Sequence, residues 1–254
     1  MKPSLIFFLM MFGTCLYSQE RNVRVDRGTF RIRELGQGPV TVIFESGMSD
    51  SIEVWGDIPD SVAKYARVFL YDRAGVGKSE SIDRKRTIPN MVDELHSILE
   101  NRSIDPPYIL VGHSLGGLIT RYYSDKYPSE VKGLLLLDPA PESYWNNMSK
   151  RELKKYIKGG NKWYETKFPE RYRGEWYEFI PNLEYMNDLH IDPDLPVILV
   201  SATAWNWYEF HEDILDELEN AKHLELEGEH HIYKQHPDLV IQYILKLIYY
   251  AQDH

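Results

Sequence analysis

Short apolar runs recur along the chain at 40–44, 67–71, 108–111, 131–137 and 196–201, and amphipathic stretches separate them. Runs rich in Val, Ile and Leu without polar alternation are the pattern of strands buried on both faces. Residues 22–33 behave differently. There Val23, Val25, Phe30 and Ile32 alternate with polar residues around Gly28, which predicts an opening β-hairpin. A further strand is predicted over 222–227, before the turn Gly228-Glu-His-His231. The intervening segments predict helices over 55–66, 87–100, 118–127, 208–220 and 237–251. The second carries an apolar stripe at Ile88, Met91, Val92, Leu95, Ile98 and Leu99, and the third stops before Pro128. Strands alternating with helices predict an α/β fold, a mostly parallel eight-stranded sheet with helices on both faces. Between about 140 and 194 the pattern loses its strands and becomes aromatic and charged, as expected of an inserted helical cap.

At 254 residues, with 43% hydrophobic and 13% aromatic content, the chain can fill the core of one α/β domain. A formal charge of −10 argues against nucleic acid or an anionic membrane surface as partner. The start of the chain reads as a targeting signal. Lys2 precedes the apolar run 5–12, too short to span a bilayer, and small and polar residues follow to Ser18. Cleavage after Ser18 would give a secreted or periplasmic protein spanning 19–254. Phe12-Gly13-Thr14 departs from the lipobox that anchoring through Cys15 needs. Cys15 is the only cysteine, so the processed chain would hold no disulfide, thiol nucleophile or cysteine metal site.

The candidate chemistry centres on Gly112-His-Ser-Leu-Gly116, between the strand at 108–111 and the following helix. A serine between small residues at a strand-to-helix junction sits on a tight turn that lifts its hydroxyl from the sheet. The same turn aims the backbone N–H groups opening the helix, Leu115 first, at the atom under attack. Ser114 is therefore the candidate nucleophile, against the plainer reading of a helix-capping serine. It needs a histidine base, and His230 and His231 lie in the turn after the last strand. Gly75-Val-Gly-Lys-Ser79 imitates a phosphate loop, but Asp72 stands where that loop requires glycine.

A strand ending in Glu45-Ser-Gly47, then Tyr71-Asp-Arg-Ala-Gly-Val-Gly-Lys-Ser79, Gly112-His-Ser-Leu-Gly-Gly117 and a late histidine before Pro237 together resemble the α/β-hydrolase superfamily across nearly the whole chain past residue 18. The resemblance implies a serine hydrolase acting on carboxylic esters without cofactor or metal, with a lid at about 140–194. It also implies a small-molecule substrate, and the aromatic lid suggests one with an apolar group. It places the base seven residues before the proline of the last helix, at His230. It also implies a second oxyanion donor from the loop after the third strand, where Gly47-Met48 offers the Met48 N–H beside that of Leu115. The triad acid usually follows the seventh strand, where this chain has no Asp at the expected offset. Asp138, ending the sixth strand, is the favoured alternative, with Glu209, Glu212 and Asp213 as competitors. Amide, peptide or carbon–carbon cleavage, or a non-catalytic binding role, are the other readings on this fold.

Overall fold

A computed structural model describes residues 19–25 and 28–253; the segment read above as a targeting signal, with Cys15, lies outside the described residues. The chain runs β1 (Gln19–Val25), β2 (Gly28–Leu35), β3 (Thr41–Glu45), α1 (Ile58–Val62), β4 (Arg67–Tyr71), α2 (Ile88–Asn101), β5 (Tyr108–His113), α3 (Leu115–Lys126) and β6 (Val131–Leu137). It continues through α4 (Glu142–Asn146), α5 (Lys150–Lys167), α6 (Gly174–Asn182), β7 (Val197–Ala202), α7 (Glu212–Leu215), β8 (Ala221–Leu226), α8 (Ile232–Gln235) and α9 (Pro237–Asp253). The eight strands form one sheet in the order β1-β2-β4-β3-β5-β6-β7-β8. β1 and β2 pair antiparallel and β2 joins β4 antiparallel; every other pairing is parallel.

The continuous apolar runs have a direct explanation in the packing. Ile43, Leu110, Leu134, Leu136 and Leu199 point into one core, together with the buried stripe of α2 and the face of α3. Their neighbours Val42, Phe44, Ile109, Val111, Leu135 and Val200 point into the other, against α1 and α9. Successive strand side chains face opposite sides, so a strand covered on both sides needs apolar residues at every position. β8 lies at the sheet edge and is only half-buried, with Lys222 and Glu225 exposed. Charges on an edge strand discourage further pairing.

Two predicted helices are shorter than the sequence suggests. The stretch 55–66 divides into a 3-10 turn at Ile52–Trp55 and the short α1, because Gly56 takes φ 55° between them. The stretch 208–220 is a 3-10 turn at Asn206–Phe210 and the four-residue α7, followed by Glu217 at φ 72°. It buries only His211 and Ile214, too little apolar surface to sustain a longer helix.

Between β6 and β7 the chain forms no strand and holds α4, α5, α6 and two 3-10 turns, the last ending at Met186. Trp145, Tyr164, Trp176 and Phe179 from this insertion join the α2–α3 core. Asn182, fully buried, fixes it in place: its Oδ1 accepts the Ile88 N–H that opens α2 (2.8 Å), and its Nδ2 donates to the Arg86 carbonyl (3.0 Å).

Candidate active site

Ser114 sits between β5 and α3 at φ 54°, ψ −117°, a conformation that costs a non-glycine residue on the order of 1–3 kcal/mol. The flanking glycines let the turn exist. A Cβ on Gly116 would lie 2.1 Å from the Glu45 carbonyl oxygen, one on Gly112 2.6 Å from the Gly116 oxygen, and one on Gly117 2.6 Å from Pro139 Cβ. The elbow is also tied to the sheet, since Ser114 N–H donates to Leu137 O (3.2 Å) and Ser114 O accepts from Ala140 N–H (3.1 Å). Ser114 and His230 line one cavity of about 1020 Å³ beneath the helical insertion.

His230 comes from the turn after β8. Its Nδ1 lies 2.6 Å from Asp138 Oδ2. An ionised carboxylate only accepts hydrogen bonds, so Nδ1 carries the proton and Nε2 keeps its lone pair for a substrate or serine proton. Asp138 is wholly buried and held at φ 43°, and its second oxygen accepts the Ala202 N–H (3.0 Å). The ring of His230 is walled by Trp207 (5.0 Å between centroids) and Trp205 (5.6 Å).

The other candidate side chains lie elsewhere. His231 turns to Asp50, with Nε2 3.3 Å from Oδ2. Glu209 and Asp213 are exposed, and Glu212, also exposed, bonds His223. That histidine belongs to a relay which nothing in the sequence marks. His223 Nε2 lies 2.6 Å from Ser201 Oγ, which is 2.6 Å from His211 Nδ1, and His211 Nε2 donates to the Pro139 carbonyl (2.8 Å). A carbonyl can only accept, so His211 carries its proton on Nε2 and accepts the Ser201 O–H hydrogen bond at Nδ1. Burial lowers the His211 pKa to about 4, leaving it neutral, and the relay braces the residue after Asp138.

Leu115 is the first residue of α3, so its N–H has no partner within the helix. Met48 follows Gly47 in the loop after β3, and both line the cavity. A buried ionic clamp holds this loop. Arg73 donates to Glu45 Oε1 (2.6 Å), to the carbonyls of Ser46 (2.7 Å) and Gly47 (2.6 Å), and to Glu175 Oε1 (2.6 Å). Glu175, from α6 of the insertion, also accepts the Ser49 N–H (2.7 Å). Tyr-Asp-Arg and Glu-Ser-Gly are visible in the sequence as motif fragments, but their partner Glu175 lies 102 positions from Arg73 in an irregular stretch.

The imitation phosphate loop is closed by its own aspartate. Asp72 accepts N–H groups from Ile52 and Lys78, both at 2.8 Å, and a Cβ on Gly77 would sit 2.2 Å from its Oδ2. A carboxylate occupying the turn's N–H groups leaves no seat for phosphate.

The alpha/beta hydrolase fold family model matches residues 40–192. The chain belongs to that family. The uncharacterized protein YqjL of Bacillus subtilis is 37% identical over 122 residues, 48% of each chain. A (lyso)-N-acylphosphatidylethanolamine lipase of Bos taurus is 33% identical over 101 residues, 39% of this chain and 30% of that one. The chain thus spans about half or less of these relatives. Mouse alpha/beta hydrolase domain-containing protein 10 superposes with a TM-score of 0.71 over 91% of this chain and 98% of its own, at 20% identity, a likeness of fold. Among the described residues no helix is long and apolar enough to cross a membrane.

Proposed function

We propose that this protein is a serine hydrolase that cleaves carboxylic esters through an acyl-enzyme intermediate. Ser114 Oγ attacks the acyl carbon while His230 Nε2 takes its proton. The Asp138 carboxylate keeps the imidazole in the working tautomer and stabilises the imidazolium. The N–H groups of Met48 and Leu115 receive the negative charge that develops on the carbonyl oxygen. Proton return from His230 releases the alcohol, and water, activated by the same base, then frees the acid and regenerates Ser114. The observation that carries this reading is the positive-φ elbow at Ser114 opening into the same cavity as an imidazole whose far nitrogen is bound to a buried carboxylate.

The cavity supports a substrate with an apolar group, because Tyr144, Trp145, Tyr156, Phe179 and Trp207 supply its walls. The insertion at 140–194 serves as a lid that excludes water from the acyl carbon. The amino-terminal signal directs export, so the enzyme works in the periplasm or outside the cell, against a small-molecule ester. A fluorophosphonate probe tests the chemistry: it labels the wild-type protein and leaves Ser114→Ala unlabelled. A folded wild-type protein that resists the probe and hydrolyses no nitrophenyl ester of any acyl length refutes the proposal and favours a binding role.

A further inference from the structure

Beside the proposed triad three side chains converge that it does not use. Asp50 Oδ2 lies 3.3 Å from His231 Nε2 and 3.9 Å from His113 Nδ1, and the three ligand atoms fall within 4.8 Å of one another. His113 is 1% exposed, and its Nδ1 is a buried nitrogen with no hydrogen-bond partner. Its other nitrogen, Nε2, faces the His230 carbonyl at 3.0 Å and must donate there, which leaves the Nδ1 lone pair free, 3.9 Å from Asp50 Oδ2. An orphaned lone pair in a buried position calls for a donor or a Lewis acid.

The space in front of that lone pair is open because residue 47 is glycine. A Cβ there would stand 2.7 Å from His113 Nδ1 and 2.8 Å from Asp50 Oδ2, inside the gap between the two ligand atoms. We propose that Asp50, His113 and His231 form a binding site for a divalent transition-metal ion of the zinc type. Two imidazole nitrogens and one carboxylate oxygen suit such an ion, and ligand atoms at about 2.0–2.1 Å from a tetrahedral centre stand roughly 3.3 Å apart. The Asp50–His231 edge has that length already, and the Asp50–His113 edge reaches it by closing about half an ångström. The bond from His113 to the His230 carbonyl is the outer-shell brace that metal-bound histidines use to fix their tautomer. All three residues line the cavity shared with Ser114 and His230. A bound ion joins the loop that carries Met48 to the turn that carries His230, and so restrains the base. That consequence for catalysis rests on the hydrolase reading; the binding does not.

Calorimetric titration of chelator-stripped protein with Zn2+, repeated with Co2+ and followed by visible absorption, tests the site. The wild type should bind one ion per chain, and the Co2+ complex should show the absorption of low coordination. Asp50→Asn and His231→Ala should each weaken binding at least tenfold, while His236→Ala, at a half-buried histidine bonded to the Glu227 carbonyl, should leave it intact. Circular dichroism and melting of each variant separate loss of a ligand from loss of fold. Wild type that takes up no Zn2+ at about 100 µM, or Asp50→Asn and His231→Ala variants with wild-type affinity, overturns the proposal. Fluorophosphonate labelling runs alongside: zinc should slow it in the wild type and leave it unchanged in His231→Ala. Failure to label without zinc speaks against the hydrolase alone, since the titration still decides the metal site.

Discussion

The Arg73 clamp permits a quantitative forecast. Arg73 and Glu175 are almost wholly buried and Glu45 completely so, with one guanidinium between two carboxylates. Replacing it in Arg73→Met keeps much of the volume but strands both acids without a cation. Each must then stay charged in a low-dielectric interior or take up a proton. For a carboxyl with the ordinary value of 4.5, protonation at pH 7 spans 2.5 pH units and costs about 3.4 kcal/mol, since one unit is 1.36 kcal/mol. Two such groups set an upper figure of about 7 kcal/mol. Burial already raises the Glu45 pKa in the wild type, so part of its share is present from the start and the net loss falls between about 3 and 7 kcal/mol. That is a large fraction of the 5–15 kcal/mol typical of a whole domain. At pH 5 the same protonations span half a unit each and cost about 1.4 kcal/mol together. Urea unfolding of wild type and Arg73→Met at pH 7 and pH 5 measures both values. The deficit of the variant should shrink by several kcal/mol on acidification, and Glu175→Gln, which leaves Arg73 balanced by Glu45, should lose only about 2 kcal/mol at pH 7. A deficit in Arg73→Met that is the same at both pH values, or below about 2 kcal/mol at pH 7, refutes the charge-stranding argument.

Other tests address the triad, the elbow and the relay. His230→Ala and Asp138→Asn should each lower ester turnover by about three to four powers of ten with little change in KM, and His231→Ala should not; steady-state kinetics that show the reverse order would move the base to His231. Gly116→Ala drives a methyl to 2.1 Å from the Glu45 carbonyl, so a melting temperature within a degree or two of wild type would contradict the packing at the elbow. His211 has a folded pKa of about 4, below the usual 6.5. The unfolded chain therefore binds more protons in that window, and the stability His211 contributes is complete above pH 6.5 and lost as pH falls toward 4. The pH slope of the urea midpoint over that window should be shallower in His211→Gln than in the wild type.

The architecture was legible in sequence because burial on both faces forces it to be written there. The runs at 40–44, 67–71, 108–111, 131–137 and 196–201 carry apolar residues at successive positions since each strand separates two cores. The elbow was legible for a similar reason: only glycine at 112, 116 and 117 leaves room for the backbone and side-chain atoms that crowd Ser114. The helical stretches near 55–66 and 208–220 misled, because a local pattern does not reveal that Gly56 or Glu217 will take positive φ.

What sequence determined by itself was thus the order of strands and helices, the parallel sheet and the place of the serine turn. Tertiary structure alone decided the pairing of side chains far apart in the chain. It set His230 against Asp138 and His231 against Asp50, drew Glu175 from the insertion onto Arg73, and linked Glu212 at the surface to the Pro139 carbonyl in the interior through His223, Ser201 and His211. Strand and turn preferences are local, acting over a few residues, and leave a periodic trace. A hydrogen bond between residues ninety positions apart depends on where folding delivers both ends, and leaves none.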